Sequence, residues 1–121
     1  MYGCQFVEKP LVLVGNRRTG ADHASVFSSS VSGMNAGDLM VSAAADNIAN
    51  ADTESYNPWV VKLTAQPLQG VSARAEKSQD EGVDMADQMV GLITGSLLYK
   101  ANARALKTSA ETDSYIFDAL A

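Results

Sequence analysis

The stretch "AAADNIANADTESYNP", Ala43 to Pro58, decides how the rest of the chain is read. It begins as a helix and ends as something else. Asn47 and Asn50 flank Ile48-Ala49, where Leu or Lys would make a better helix. Asp52, Thr53 and Ser55 favour bonds from side chain to nearby backbone over continued helix. Asn57 precedes Pro58, and a residue before proline is pushed out of the helical region. The stretch is therefore a helix end followed by an outward turn. At such an exit the amides of Asn47 and Asn50 are suited to bonding exposed backbone.

Upstream, a helix is expected from about Val26 to Ala51. Phe27, Val31, Met34, Val41, Ala45 and Ile48 recur on steps of three and four, with Asp38 filling the remaining position, which keeps one stripe on one side of a helix. Gly33 and Gly37 weaken that helix by up to about 1 kcal/mol each relative to Ala. Packing must then supply its stability. Four apart, the two glycines either admit another helix closely or only loosen this one. Met34 and Met40 read as packing residues.

Downstream, "WVVKLT" (Trp59–Thr64) and "VSARAE" (Val71–Glu76) read as two short strands around the turn "AQPLQG". A lone hairpin is marginal in water, so it must lean on the helices or on a neighbour. "KSQDEG" (Lys77–Gly82) is a polar linker. A long helix follows, on one heptad seam: Met85, Met89, Leu92, Ser96, Tyr99, Ala103, Leu106, Ala110, Asp113, Phe117, Leu120. Val90, Ile93 and Leu97 broaden its apolar face, and Lys100, Arg104 and Lys107 make the later flank basic. Asp84 and Asp87 suit a helix start. Gly91 and Gly95 repeat the spacing of Gly33 and Gly37, a candidate site of close helix approach. Ser96 and Asp113 are polar on the seam; they set register, face a polar neighbour, or are plain imperfections.

The expected fold is mainly α. An N-terminal helix and a long C-terminal helix pair as an antiparallel coiled-coil-like hairpin, with a short β-hairpin-like middle. Its parts are an irregular arm or extension over 1–25, the first helix with its Asn-rich exit turn over 26–56, a β-rich middle and linker over 57–82, and the long helix over 83–121. The chain has 121 residues, enough for one small domain. Much of its apolar content is alanine, which implies thin helix packing and dependence on neighbours.

Few chemical functions survive this composition. With one cysteine, Cys4, no intramolecular disulfide forms. His23 is the single histidine, a poor basis for a metal site or a nucleophile–base pair. Asp80 and Glu81 lie in a polar linker and read as solvated carboxylates. Asp84 and Asp87 share a helical side and imitate a metal site, but no second ligand set accompanies them. Gly15 to Gly20 suggests a phosphate loop, yet Ala21 and Asp22 stand where Lys and Ser/Thr would be needed. The net charge of −5 and the lack of any basic cluster beyond Arg17-Arg18 argue against nucleic acid as a partner. No apolar run approaches the roughly 20 residues that span a bilayer, and "PLVLVG" (Pro10–Gly15) makes a poor signal peptide. Neither an enzyme, a cofactor nor a small-molecule substrate is expected.

Two stretches carry a family resemblance. "SGMNAGDLMVSAAADNIANADTESY" (Ser32–Tyr56) resembles the N-terminal signature of bacterial flagellar rod and hook proteins, in which a helix runs into Asn-Ile-Ala-Asn-Ala and then a Thr-Pro-Gly-Tyr turn. Asn47, Ile48, Ala49, Asn50, Ala51, Thr53 and Tyr56 match it as an assembly motif. "GVDMADQMVGLITGSLLYKANARALKTSAETDSYIFDAL" (Gly82–Leu120) resembles the family's C-terminal helix. There Met89, Val90, Leu92, Ile93, Tyr99, Ala101, Asn102, Ala103, Lys107 and Thr108 match. Glu54-Ser55 stands where the family has Pro-Gly, which puts the turn geometry in question. Asp46 and Asp52 also depart from the pattern.

The resemblance implies a small, proximal-rod-like axial subunit. Such a chain leaves through the flagellar type III export apparatus without a cleaved signal and assembles in the periplasmic rod of the basal body. Its partners are copies of itself, other rod and hook-basal-body subunits, and the export apparatus. Terminal segments that order on assembly fit the thin seams, and head-to-tail contacts fit open helical growth. The alternative is a stand-alone helical binding module, such as a flagellar export adaptor or regulator. At the exit, the amides of Asn47 and Asn50 bond local backbone or the next subunit, and replacing either is expected to harm assembly more than helix content.

Overall fold

The computed structural model describes residues 19–67 and 69–120, with side chains from Ser25 onward. Helix α1 (Thr19–Ala49) is followed by strand β1 (Trp59–Gln66), strand β2 (Gly70–Lys77) and helix α2 (Met85–Leu120). The architecture is mainly helical, with two helices packed against each other and a two-stranded antiparallel hairpin between them in sequence.

Helix α1 begins at Thr19, ahead of the boundary expected near Val26. No proline and a single glycine, Gly20, fall between Thr19 and Ser25. Nothing there stops the helix from propagating backward from its packed part. The remainder of the expected arm lies outside the described residues, and with it Cys4, "PLVLVG" and Arg17-Arg18. His23 falls within α1; its side chain is outside the described set.

The helices run antiparallel. Gly33 lies against Asn102, Gly37 against Gly95 and Tyr99, and Gly91 against Ala44. At the far end Asn47 bonds to Gln88. On α1 the buried residues are Ser30, Gly33, Ala36, Gly37, Ala43, Ala44 and Asn47. This differs from the stripe expected from large apolar residues: Phe27, Asp38 and Ala45 are exposed, while Val31, Met34, Val41 and Ile48 are half-buried. The interior is made of small residues because the two backbones come close. A Cβ on Gly37 would stand 2.7 Å from the Gly95 carbonyl oxygen, and one on Gly95 would stand 2.8 Å from that of Gly37. Only a bare α-carbon tolerates such an approach. Gly91 is different, since a Cβ there meets only Ala44 at 3.6 Å.

On α2 the same effect rotates the contact. The face turned to α1 carries Gln88, Gly91, Gly95 and Asn102. Near the start of α2 the expected seam lies roughly a quarter turn away at 100° per residue, while farther along Tyr99 of that seam also lies against Gly37. Met85, Met89, Tyr99, Ala110, Phe117 and Leu120 are exposed, whereas Leu92, Ser96, Ala103, Leu106 and Asp113 are half-buried.

The hairpin pairs Trp59 with Lys77 at its open end and Gln66 with Gly70 at its turn. Gly70 has φ 92 there, a left-handed value that glycine takes without strain. The sheet lies along α1, which packs against both strands as well as α2. At the turn, the Val71 amide donates to Ser32 Oγ at 3.1 Å, and that hydroxyl donates to the Ser29 carbonyl at 2.8 Å. Helix α1 is thus the middle element, which supplies the support a lone hairpin needs.

Candidate functional site at the helix exit

Asn47 is fully buried, the largest side chain so enclosed among the described residues. Its Nδ2 donates to the Trp59 carbonyl at 2.8 Å and to Gln88 Oε1 at 2.9 Å. Its Oδ1 accepts from the Trp59 amide at 2.7 Å and from the Tyr56 hydroxyl at 3.2 Å. Both donors and both lone pairs of the amide are used. Toward Trp59 the side chain behaves as the peptide of a neighbouring strand would, taking the N–H and giving to the C=O. One residue therefore fixes four things: the last turn of α1, the exit loop at Tyr56, the start of β1 and the start of α2.

Asn50 does a smaller task. Its Nδ2 donates to the Asp46 carbonyl at 2.8 Å on the exposed side, a second bond to an oxygen that also accepts from the Asn50 amide at 3.2 Å. The Thr53 amide donates to the Asn50 carbonyl at 3.0 Å, which turns the chain. Ser55 then has φ 55. The position where the resemblance has glycine does take a left-handed backbone here, with a serine in it, at a cost of roughly 1–2 kcal/mol.

The loop is closed from the other side by β2 and the linker. Lys77 Nζ lies 4.3 Å from the Tyr56 ring centre and 4.2 Å from that of Trp59, and it donates to the Asn57 carbonyl at 2.9 Å. A cation held over two rings adds to the packing of both. Asn57 Nδ2 donates to the Ser78 carbonyl at 2.9 Å. The Gly82 amide donates to the Tyr56 carbonyl at 3.0 Å, so the linker returns to the exit. Asp84 Oδ1 accepts from the amides of Ala86 at 2.9 Å and Asp87 at 3.3 Å, the geometry of a helix N-cap.

Of the residues expected in the assembly motif, Asn47 and Tyr56 bond directly to each other. Asn50 and Thr53 sit together on the exposed turn. Ile48 and Ala51 are half-buried and Ala49 is exposed. Sequence reasoning missed Gln88, Trp59 and Lys77 as members of this cluster. Gln88 left one usable signal, a polar residue beside two glycine-spaced positions on the same helix.

The arrangement holds the helix exit, the hairpin start and the start of α2 in one shape. Among the described residues no three His, Cys, Asp or Glu side chains are grouped to hold a metal ion. No helix among them is long and apolar enough to cross a membrane. A search of curated proteins finds no match to the chain. Residues 27–56, the stretch of α1 and exit loop that ends on Tyr56 beside Asn47, match the family described as flagella basal body rod protein.

Proposed function

We propose that the chain is a structural subunit of the flagellar basal-body rod. In this reading it leaves the cytoplasm through the flagellar type III apparatus and assembles in the periplasm with copies of itself and other rod and hook-basal-body subunits. One observation carries the proposal. The family-matched segment, residues 27–56, ends in the buried Asn47 node that joins both helices to the hairpin. A fixed geometry of exit would let every subunit present its helices and its hairpin at one angle. Two further features support it. The helix interface is built from small residues, and a row of large apolar side chains is left outside on α2, as expected of a chain that completes its packing against neighbours.

The test is complementation of a strain lacking the gene. The wild-type chain is expected to restore swimming and to appear in purified basal bodies, and Asn47→Leu to reduce both. A wild-type chain that stays in the cytosol while basal bodies are complete without it would favour the stand-alone binding module instead.

A further inference from the structure

We propose that the outer edge of β1 is a pairing edge, and that a second copy of the chain occupies it as an antiparallel strand centred on Leu63. The hairpin's own bonds show which groups are available. The Ser78 amide donates to the Pro58 carbonyl across the hairpin. At Trp59, the next residue, the backbone N–H and C=O face outward, where Asn47 bonds to both. Strand geometry repeats every second residue. The outer groups of β1 beyond Trp59 therefore belong to Val61, Leu63 and Ala65, and they have no hydrogen-bond partner among the described residues. The outer edge of β2 turns toward α1 instead: the Val71 amide donates to Ser32 Oγ, and Ala73 lines a groove against α1. Helix α2 packs against neither strand.

Edge strands are normally blunted by a proline, a bulge or a charge turned onto the edge. From Val61 to Ala65 there is no proline, and the pairing with β2 runs without a break. The one charge, Lys62, stands on the face opposite to Leu63 and is bonded to Glu76 of β2 at 2.7 Å. The ends of the free run set the register. Antiparallel pairing about Leu63 places Leu63 against Leu63 of the second copy and Val61 against Ala65, each pair exchanging both backbone bonds. Trp59, whose groups Asn47 already holds, then falls opposite Pro67, which has no N–H to give. The new ladder stops where both copies run out of free groups. On the face turned to α1, Leu63, 46% exposed, covers its counterpart. On the other face Lys62 meets Thr64, so no like charges are opposed. Parallel pairing of the same edges would put the two Leu63 side chains on opposite faces. The antiparallel pair makes one four-stranded sheet, past the size at which a hairpin is marginal. The dimer stands or falls independently of the rod reading.

Sedimentation of the purified full chain over a concentration series tests it, with circular dichroism to show that each variant is folded. The wild type is expected to dimerise. Leu63→Pro removes an outward N–H and no bond between β1 and β2. It is expected to keep the fold and to raise the dimer dissociation constant about tenfold or more. In a Cys4→Ser background, single cysteines read the register. Leu63→Cys is expected to cross-link to itself on mild oxidation, since the α-carbons of that pair lie about 5.5 Å apart. Val61→Cys or Ala65→Cys alone should not, because each then lies about 14 Å from its own counterpart. A monomeric wild type, a folded Leu63→Pro that dimerises as the wild type does, or cross-linking at Val61 in preference to Leu63 would overturn the proposal.

Discussion

At the helix exit every polar atom of Asn47 has a partner within the chain. Along the outward face of α2, by contrast, Met89, Ile93 and Leu97 are more than half exposed. The first region is a closed polar network, and such networks fix one geometry because every alternative leaves a buried group unbonded. The second is a surface whose packing is unfinished. The difference teaches how so small a chain divides its tasks. It defines its own shape by hydrogen bonds at one end and by backbone contact at the glycines, and it leaves several large apolar side chains exposed.

The comparison can be broken most severely at Asn47. Asn47→Leu keeps the branched shape, adds some bulk at a fully buried site, and strands the Trp59 amide and carbonyl, the Gln88 amide and the Tyr56 hydroxyl. Chemical denaturation is expected to show a loss of about 3 kcal/mol or more. Asn50→Leu removes two exposed bonds, one of them long at 3.4 Å, and should cost about 1 kcal/mol or less. The two asparagines look equivalent in the sequence, so equal losses would dissolve the distinction drawn between them.

Next comes the glycine contact. Gly37→Ala and Gly95→Ala each drive a methyl into the opposing backbone and should destabilise by about 1–3 kcal/mol. Gly91→Ala meets only Ala44 at 3.6 Å. It should be neutral or stabilise by up to about 1 kcal/mol, as a better helix former. Thermal melts of the three variants would show the split, and a common response would mean that the close approach is absent.

Ser55→Gly is expected to raise stability by about 1 kcal/mol by relieving the left-handed serine. No gain would show that the loop holds Ser55 without strain.

The smallest effect concerns Glu76, whose carboxyl is held below its usual range by a 2.7 Å bond and ion pair with Lys62 and, further off, by Arg74. A lowered carboxylate pKa stabilises the fold above the ordinary carboxylate range and ceases to do so as pH falls through the folded value. Both partners are largely exposed, so the contribution is small. Glu76→Gln should lower stability slightly near neutrality and change nothing at low pH, where Glu76 is protonated, so the acid limb of stability against pH is slightly flattened.

Much of this fold was legible. Trp59–Thr64 and Val71–Glu76 announce the strands by their β-formers, and the hairpin extends them only to Trp59–Gln66 and Gly70–Lys77. Asn57-Pro58 announces the end of the first helix, and the helical spacing announces the second. The contact faces were not legible, because periodicity counts large apolar residues and this interface is built from Gly, Ala, Ser and one amide. Phe27 and Met89 follow the helical period and still face outward, whereas Ser30 and Gly95 are buried. The exit motif was readable as a place but not as a network. That a side-chain amide would replace a strand for Trp59, twelve residues away, depends on a loop path that local pattern does not encode. The departure at Glu54-Ser55 did point to the right spot, since Ser55 carries the positive φ.

The central claim is that the Asn47 amide fastens the start of β1 to the end of α1. Hydrogen exchange at the Trp59 amide tests it most directly, because that N–H donates to Asn47 Oδ1 at 2.7 Å. In the wild type this amide is expected to exchange as slowly as those in the middle of α1. In Asn47→Leu it should exchange like an exposed loop amide while the middle of α1 stays protected. Unchanged protection of Trp59 in the variant would contradict the account.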